Sequence, residues 1–512
     1  MDDETSPLLV DRKPVRPINE SNNETETELS GCGATLCCNP YRPFHRFVTV
    51  IFMCFLSFGS YFCYDNPGAL QTSIKNVMGI STEEFMQFYA WYSWPNVILS
   101  LIGGFLIDRV FGIRLGAIIF AAFVMGGQLV FAAGAFAKSY YLMIFGRFVF
   151  GIGGESLAVS QNTYAVSWFY GKELNMVFGL QLSFARIGST VNFLVMQPIY
   201  DFLAESEKGY TLLGLALMIA ALTTVISLAC ALILAFLDKR AEKILNKQTT
   251  GTGEVIRFKD ILYFPLSFWL ISIVCVSYYV AIFPFIGLGN EFFTRKFGMS
   301  ISSANTVTSL VYSLSAVASP LLGYLIDRTG RNVIWVFFAV LLTILSHGTL
   351  AFTFINPFVP MVLMGISYSM LASGLWPMVA FIIPAHQLGT AYGIMQSVQN
   401  LGLAVFSIIT GNIVDNSGYL VLEVLNLASL CVALLCVVVL WIIDMERGGT
   451  LNLSTAQRKL IARELETTER LEQDRLFASG SMADVTPQDL LHSRTDFSIR
   501  NRYLSRLGAT VR

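Results

Sequence analysis

Gly104-Phe105-Leu106-Ile107-Asp108-Arg109 returns later in the chain as Gly323-Tyr324-Leu325-Ile326-Asp327-Arg328. Each copy closes an apolar stretch. Gly112 and Arg114 follow the first copy, and Gly330 and Arg331 follow the second. A repeated Asp-Arg turn in so apolar a chain points to two related membrane halves around a shared centre, the plan of a repeat-built transporter.

The composition agrees. Apolar residues make up 54% of the 512 and charged residues 13%, with a mean hydropathy of +0.59, outside the range of ordinary soluble domains. A net charge of −1 gives no reason to expect a nucleic-acid partner. Apolar runs of about 20 residues, enough to cross a bilayer, number twelve, from 45–69 to 211–237 in the first half and from 264–289 to 418–443 in the second. The expected fold is therefore an all-α membrane protein: twelve transmembrane helices in two pseudo-symmetric six-helix bundles, 45–237 and 263–443. A polar, basic linker at 238–262 joins them, and cytosolic tails occupy 1–44 and 444–512, with a surface helix near 455–475 and disorder beyond.

The short loops set the orientation. One side carries Arg109, Arg114, Lys172, Arg328 and Arg331 together with Lys239, Arg240, Lys243, Lys247, Arg257 and Lys259 of the linker; the other has Lys75, Lys138, Lys208, Arg295 and Lys296. The positive-inside rule then places both termini in the cytosol. The polar N-terminus shows no cleavable signal peptide. It does hold Glu4-Thr5-Ser6-Pro7-Leu8-Leu9, an acidic dileucine pattern, in which Glu4, Leu8 and Leu9 are the sorting residues for clathrin adaptors and an endosomal or lysosomal address. The glycosylation pattern Asn-x-Ser/Thr occurs at Asn19, Asn23 and Asn452, all on the cytosolic side. Either tight loops or a glycosylated partner must then shield the lumenal face.

The nine cysteines form no metal-ligand spacing, and neither a cofactor nor an enzyme's nucleophile triad is implied. Six lie in apolar segments as small hydrophobes. Cys32, Cys37 and Cys38 before the first helix read equally as palmitoylation sites or as idle thiols.

Charges in mid-span cost a few kcal/mol each and are the candidate site residues. The first half offers Arg147, Glu155 and Arg186, and the second only His347, which reads as a packing histidine. Glu155 and Arg186 fall near the middle of helices 4 and 5. They are expected either to pair as a structural bridge or to take opposite ends of a zwitterion. Gly153 and Gly154 before Glu155 allow close approach, and Gln181 and Asn192 share a polar helical face with Arg186. Tyr278, Tyr279, Tyr312, Trp376, Gln396, Gln399 and Asn400 are the polar and aromatic contributions of the opposing half. Asp65 at the outer end of helix 1 reads as a solvated cap, with a gate or a pH sensor as the alternatives. Asp108, Arg109, Asp327 and Arg328 are expected to gate: a carboxylate facing a helix N-terminus across the halves holds one side shut. A salt bridge confined to the loop is the plainer alternative.

The repeated Gly-x-Leu-x-Asp-Arg loops resemble the signature of the major facilitator superfamily, as does Gly146-Arg147-Phe148-Val149-Phe150-Gly151-Ile152-Gly153-Gly154 on helix 4. The first loop departs from the pattern by one additional residue before Gly112. That resemblance links Arg147 to helix packing and coupling, and we group it with the gating residues. Five further stretches are similar to the lysosomal dipeptide transporters of the superfamily: Phe58 to Pro67, Tyr89 to Asn96, Gly153-Gly154-Glu155-Ser156-Leu157-Ala158-Val159, Ala185 to Asn192 and Leu375 to Phe381. The likeness implies export of dipeptides to the cytosol by uniport, with Glu155 on the ammonium and Arg186 on the carboxylate. It also implies a glycosylated lysosomal membrane protein as accessory subunit. Proton-coupled symport, with Glu155 titrating, is the second reading, and the absence of a further carboxylate at depth favours uniport. A non-transporting receptor or scaffold is the third.

Overall fold

A computed structural model describes residues 43–169, 174–245, 264–383, 388–446 and 449–454, with isolated positions as far as 467. Among these are twelve long helices: α1 (Phe44–Tyr64), α2 (Thr82–Phe105), α3 (Gly112–Phe136), α4 (Tyr140–Trp168), α5 (Leu174–Leu203), α6 (Gly209–Leu245), α7 (Leu266–Phe297), α8 (Ile301–Thr329), α9 (Asn332–Phe352), α10 (Phe358–Ile382), α11 (Leu388–Ser417) and α12 (Tyr419–Glu446). All belong to the compact unit Thr27–Asn452. In the other unit, Met1–Glu26 with Leu453–Arg512, the described bonds are local, such as the Ser454 N–H donating to Gln457 Oε1 at 2.9 Å. The dileucine residues Glu4, Leu8 and Leu9, the three N-terminal cysteines and most of 455–475 lie outside the described residues.

Local chemistry starts and stops these helices. Ser81 and Glu84 form a reciprocal capping box on α2, at 3.1 and 2.9 Å. Ser139 and Ser300 cap α4 and α8, while left-handed Gly79 and Gly298 end helical turns. Ten of the twelve helices are apolar and long enough to span a bilayer, whereas α2 and α5 are not. Those two form the seam, α2 on α11 and α5 on α8. A helix that faces a polar interface has no need to be apolar all round.

The extra residue after the first Asp-Arg has a structural counterpart. Residues Leu106–Phe111 form a π-helical turn, which takes up one more residue than an α-turn, and the chain turns at Gly112 with φ +71°. The second copy, without the insertion, turns at Gly330 with φ +67°. Beyond the first turn, Arg114 of α3 holds Asp238 at 2.6 Å and Glu242 at 2.5 Å, and Trp168 donates to Asp238 at 2.9 Å. These partners stand one helical turn apart, so α6 continues to Leu245 where the sequence suggests a linker from 238.

Helix α1 departs most from expectation. It ends at Tyr64, and after Asp65 the chain resumes as two short helices, Asn66–Ala69 and Gln71–Met78. The break leaves carbonyls without helical partners. Arg147, 0% exposed on α4, donates to Cys63 O at 3.1 Å, Tyr64 O at 3.0 Å and Phe88 O at 3.2 Å, ringed by Tyr64, Tyr89, Tyr92, Phe131 and Phe150. Its place among these carbonyls and rings is a packing role, tying α1 and α2 to α4. In the second half, His347 Nδ1 lies 2.7 Å from Glu423 Oε2, both buried. Glu423 and Glu291 are therefore buried ionisable groups that the sequence reading, with His347 alone, passes over.

Replacing Arg147 by Lys removes the planar fork that reaches all three carbonyls. Each lost bond is worth about 1.5–3 kcal/mol, so the variant should melt well below the parent in detergent. An unchanged melting temperature would show that the fork does not hold the break.

Candidate functional site

Glu155 and Arg186 stand near the middle of α4 and α5, and each reaches across the seam. Glu155 accepts from Gln396 Nε2 of α11 at 3.2 Å and from the Tyr92 hydroxyl of α2 at 3.4 Å. Arg186 donates to Ser315 O of α8 at 3.1 Å and to Ser319 Oγ, and its guanidinium carbon lies 5.2 Å from the centre of the Tyr368 ring. Among the described residues no ion pair joins the two. They are two half-buried, opposite charges, each engaged by neutral groups of the other half.

A wall of rings runs from one to the other. Tyr368 contacts Phe283 at 6.3 Å, Phe283 contacts Tyr64 at 6.5 Å, and Tyr64 contacts Tyr92 at 4.7 Å, edge on in each case. Tyr279 stacks on Phe283 at 5.4 Å and accepts from Trp376 Nε1 at 3.2 Å, so Tyr279 and Trp376 join this wall. Tyr61 is within electrostatic reach of both Glu155 and Arg186. The close approach that Gly154 permits is made by the protein itself: a Cβ there would lie 2.6 Å from the Tyr92 hydroxyl.

Other expected residues lie elsewhere. Tyr278 bonds Thr343 at 2.9 Å, and Gln399 accepts from Cys275 Sγ at 3.4 Å; both point into the second half's own packing, because they follow or precede the seam-facing residue by about 100° of helix turn. Asn400 does face the seam, donating to Ser100 Oγ at 3.4 Å. Asn192 accepts from Asn66 at 3.1 Å, and neither amide atom of Gln181 has a hydrogen-bond partner among the described residues. Asp65 is no solvated cap. It is 2% exposed and accepts from Tyr312 of α8 at 3.2 Å, because the break in α1 turns it inward. Ser315, Ser319 and Tyr368 escaped the sequence reading, and Tyr92 entered it only within a resembling stretch, since nothing marks a neutral residue as facing a charge on a distant helix.

The Asp-Arg loops give less. Asp327 and Arg328 are exposed at the end of α8, and the side chains of Asp108 and Arg109 lie outside the described residues. At the opposite ends of the helices the seam is heavily bonded. Asp415 of α11 accepts from the Thr82 and Glu83 N–H groups of α2 at 3.0 and 2.7 Å, and Lys75 pairs with Glu291 of α7 at 2.7 Å. A Cβ on Gly411 would come within 2.6 Å of Glu83 Cα, so α11 and α2 are nearly in backbone contact there.

Two six-helix halves meeting along a polar seam, with opposite charges at mid-depth, are the architecture of a membrane transporter built from two repeats. Residues 50–292 and 283–483 match the model of the Major Facilitator Superfamily, and the chain belongs to that family. It is a transporter, not an enzyme. A lysosomal dipeptide transporter, MFSD1, of Danio rerio is 62% identical over 423 residues, covering 82% of this chain and 92% of that protein. The protein of the same name from Homo sapiens is 59% identical over 426 residues, covering 83% and 92%. The solved structure of the proton:xylose symporter XylE superposes with a TM-score of 0.61 at 16% identity, over 80% of this chain and 96% of that one, and shares the fold.

Replacing Tyr368 by Leu removes the ring beneath Arg186. A cation–ring contact is worth about 0.5–2 kcal/mol, so this variant should lower the melting temperature in detergent, whereas Tyr368→Phe should keep most of it. Equal losses in both would assign the effect to the hydroxyl.

Proposed function

We propose that the chain carries dipeptides out of the lysosome, binding them between Glu155 and Arg186. The carrying observation is the pair itself: opposite charges in mid-span, not joined to each other, each held by exchangeable neutral partners. Burying them costs about 2.5–3.5 kcal/mol per charge on insertion scales. A structural bridge would recover that cost by direct contact, and a scaffold would have no use for it. A zwitterion whose ammonium meets Glu155 and whose carboxylate meets Arg186 displaces the Gln396 and Ser319 contacts with charged ones. An extended dipeptide spans about 7 Å between its termini. Its side chains would face the ring wall, which offers area in place of specific hydrogen bonds and so tolerates many of them.

Support for the cargo comes from relatives named as lysosomal dipeptide transporters and 53–62% identical to this chain. The dileucine pattern at Glu4, Leu8 and Leu9 supports delivery to the lysosomal membrane by clathrin adaptors, with both termini in the cytosol. The lack of acceptor asparagines on the lumenal loops supports a glycosylated accessory subunit. The Asp-Arg loops remain our candidates for the cytosolic gate.

Asp65 is a further carboxylate at depth, buried at the seam, so uniport does not follow from Glu155 standing alone. Its Oδ1 is engaged by Tyr312 and it sits at a helix break, so we assign it to structure and keep uniport. Dipeptide flux in proteoliposomes should then be the same with and without a pH gradient, for the parent and for Asp65→Asn. Gradient-driven accumulation that Asp65→Asn abolishes would instead establish proton coupling.

Glu155→Gln and Arg186→Met should each cut flux about 30-fold or more, since an unpaired charge at a buried site costs at least ~2 kcal/mol. Acetylating the dipeptide's amine should mimic the first variant and amidating its carboxylate the second. Normal uptake of the capped peptides by the parent would overturn the assigned roles.

A further inference from the structure

An indole N–H inside a membrane needs an acceptor, and the seven tryptophans of this chain find one in different ways. Three are bonded within the protein: Trp168 to Asp238 at 2.9 Å, Trp335 to Thr329 at 3.0 Å and Trp376 to Tyr279 at 3.2 Å. Trp269 and Trp441 stand within about two turns of the ends of α7 and α12, where headgroups and water accept. Trp91 and Trp94 on α2 belong to neither group. They are 38% and 37% exposed, and neither N–H has a hydrogen-bond partner among the described residues.

Depth and direction follow from the helix. Trp94 lies near the middle of the 24 residues of α2, about 17 Å from either end. Lipid oxygens begin about 15 Å from the centre of the bilayer, so they do not reach it. Tyr92 turns inward to Glu155, and Trp94, two residues on, stands about 200° round the helix from it. Trp91 and Ile98, the latter 64% exposed, flank Trp94 on this outward side, and Trp91 meets Phe148 of α4 edge on at 6.1 Å. Pro95 adds a third open group, because it has no N–H to give to the Trp91 carbonyl one turn back.

We propose that the outward face of α2 docks a transmembrane helix of another protein, one that carries an Asn or Gln amide at mid-depth. The amide carbonyl accepts from an indole, and its NH2 group donates to the Trp91 carbonyl. Lipid chains offer neither group at this depth. A second copy of this chain offers only its own Trp91 carbonyl, recessed in the backbone between two bulky rings, and is the less complementary occupant. Docking there is independent of the cargo and of the site at Glu155 and Arg186.

The test uses the full-length chain in phosphatidylcholine liposomes with a synthetic helix of leucine and alanine that carries one central Gln. A control helix has Leu in its place. Association is read as energy transfer between a dye on the chain and one on the helix. The Gln helix should bind the parent about fivefold more tightly than the control, the worth of a good interhelical hydrogen bond in lipid. Combining Trp91→Phe with Trp94→Phe keeps both rings and removes both donors, and should erase that difference while leaving the melting temperature unchanged. Equal binding of the two helices to the parent, or a preference that survives in the double variant, would overturn the proposal. Two-step photobleaching of the chain alone that becomes one-step in the double variant would make a second copy the occupant and overturn it as well. So would lipid brominated at mid-chain quenching the emission lost in Trp94→Phe equally with and without the Gln helix, since lipid would then still cover the face.

Discussion

An ionised side chain at membrane depth has no water to satisfy it, and the charges described above are each answered by a specific partner. The partners fall into two groups. Arg147 with three carbonyls, Arg114 with Asp238 and Glu242, and His347 with Glu423 are satisfied inside one half. Glu155, Arg186, Asp65 and Glu291 are satisfied across the seam, as is Asp415 at its exposed edge. The first group ties the helices of each half to one another. The second makes the contact between the halves a set of polar bonds that a ligand or water can exchange.

That division bears directly on transport. A rocking motion must break seam contacts at one end while those at the other persist, and hydrogen bonds between neutral and charged groups can be traded at little net cost. The α2–α11 approach at Gly411 and the α5–α8 contacts around Ser183 and Ala316 are where the halves lean on each other. The ring wall from Tyr368 to Tyr92 crosses the seam between the two charges. It keeps apolar surface available at the site without fixing what lies upon it.

Much of this was legible in the chain. Twelve apolar runs and the duplicated Asp-Arg turn give the twelve helices in two halves, and the extra residue before Gly112 marked a departure whose π-helical form only the structure supplies. Glu155 and Arg186 stood out because charges in apolar runs are conspicuous. Their neutral partners did not, and Tyr278 was grouped with Tyr279 although successive helical residues face different ways. Asp65 was misread because Asn66-Pro67-Gly68 looks like the end of a helix at the surface, when it is a break inside the protein.

The sequence by itself determined what kind of solvent the chain lives in, how many long helices it forms, and that Glu155 and Arg186 are charges placed in mid-span. Those are properties of single segments, set by length and composition. Only the tertiary structure decided which charges meet each other and which meet the opposite half. That depends on helix rotation and on which residues 100 or more positions apart share a seam, as Glu155 does with Gln396, and no local pattern carries that information.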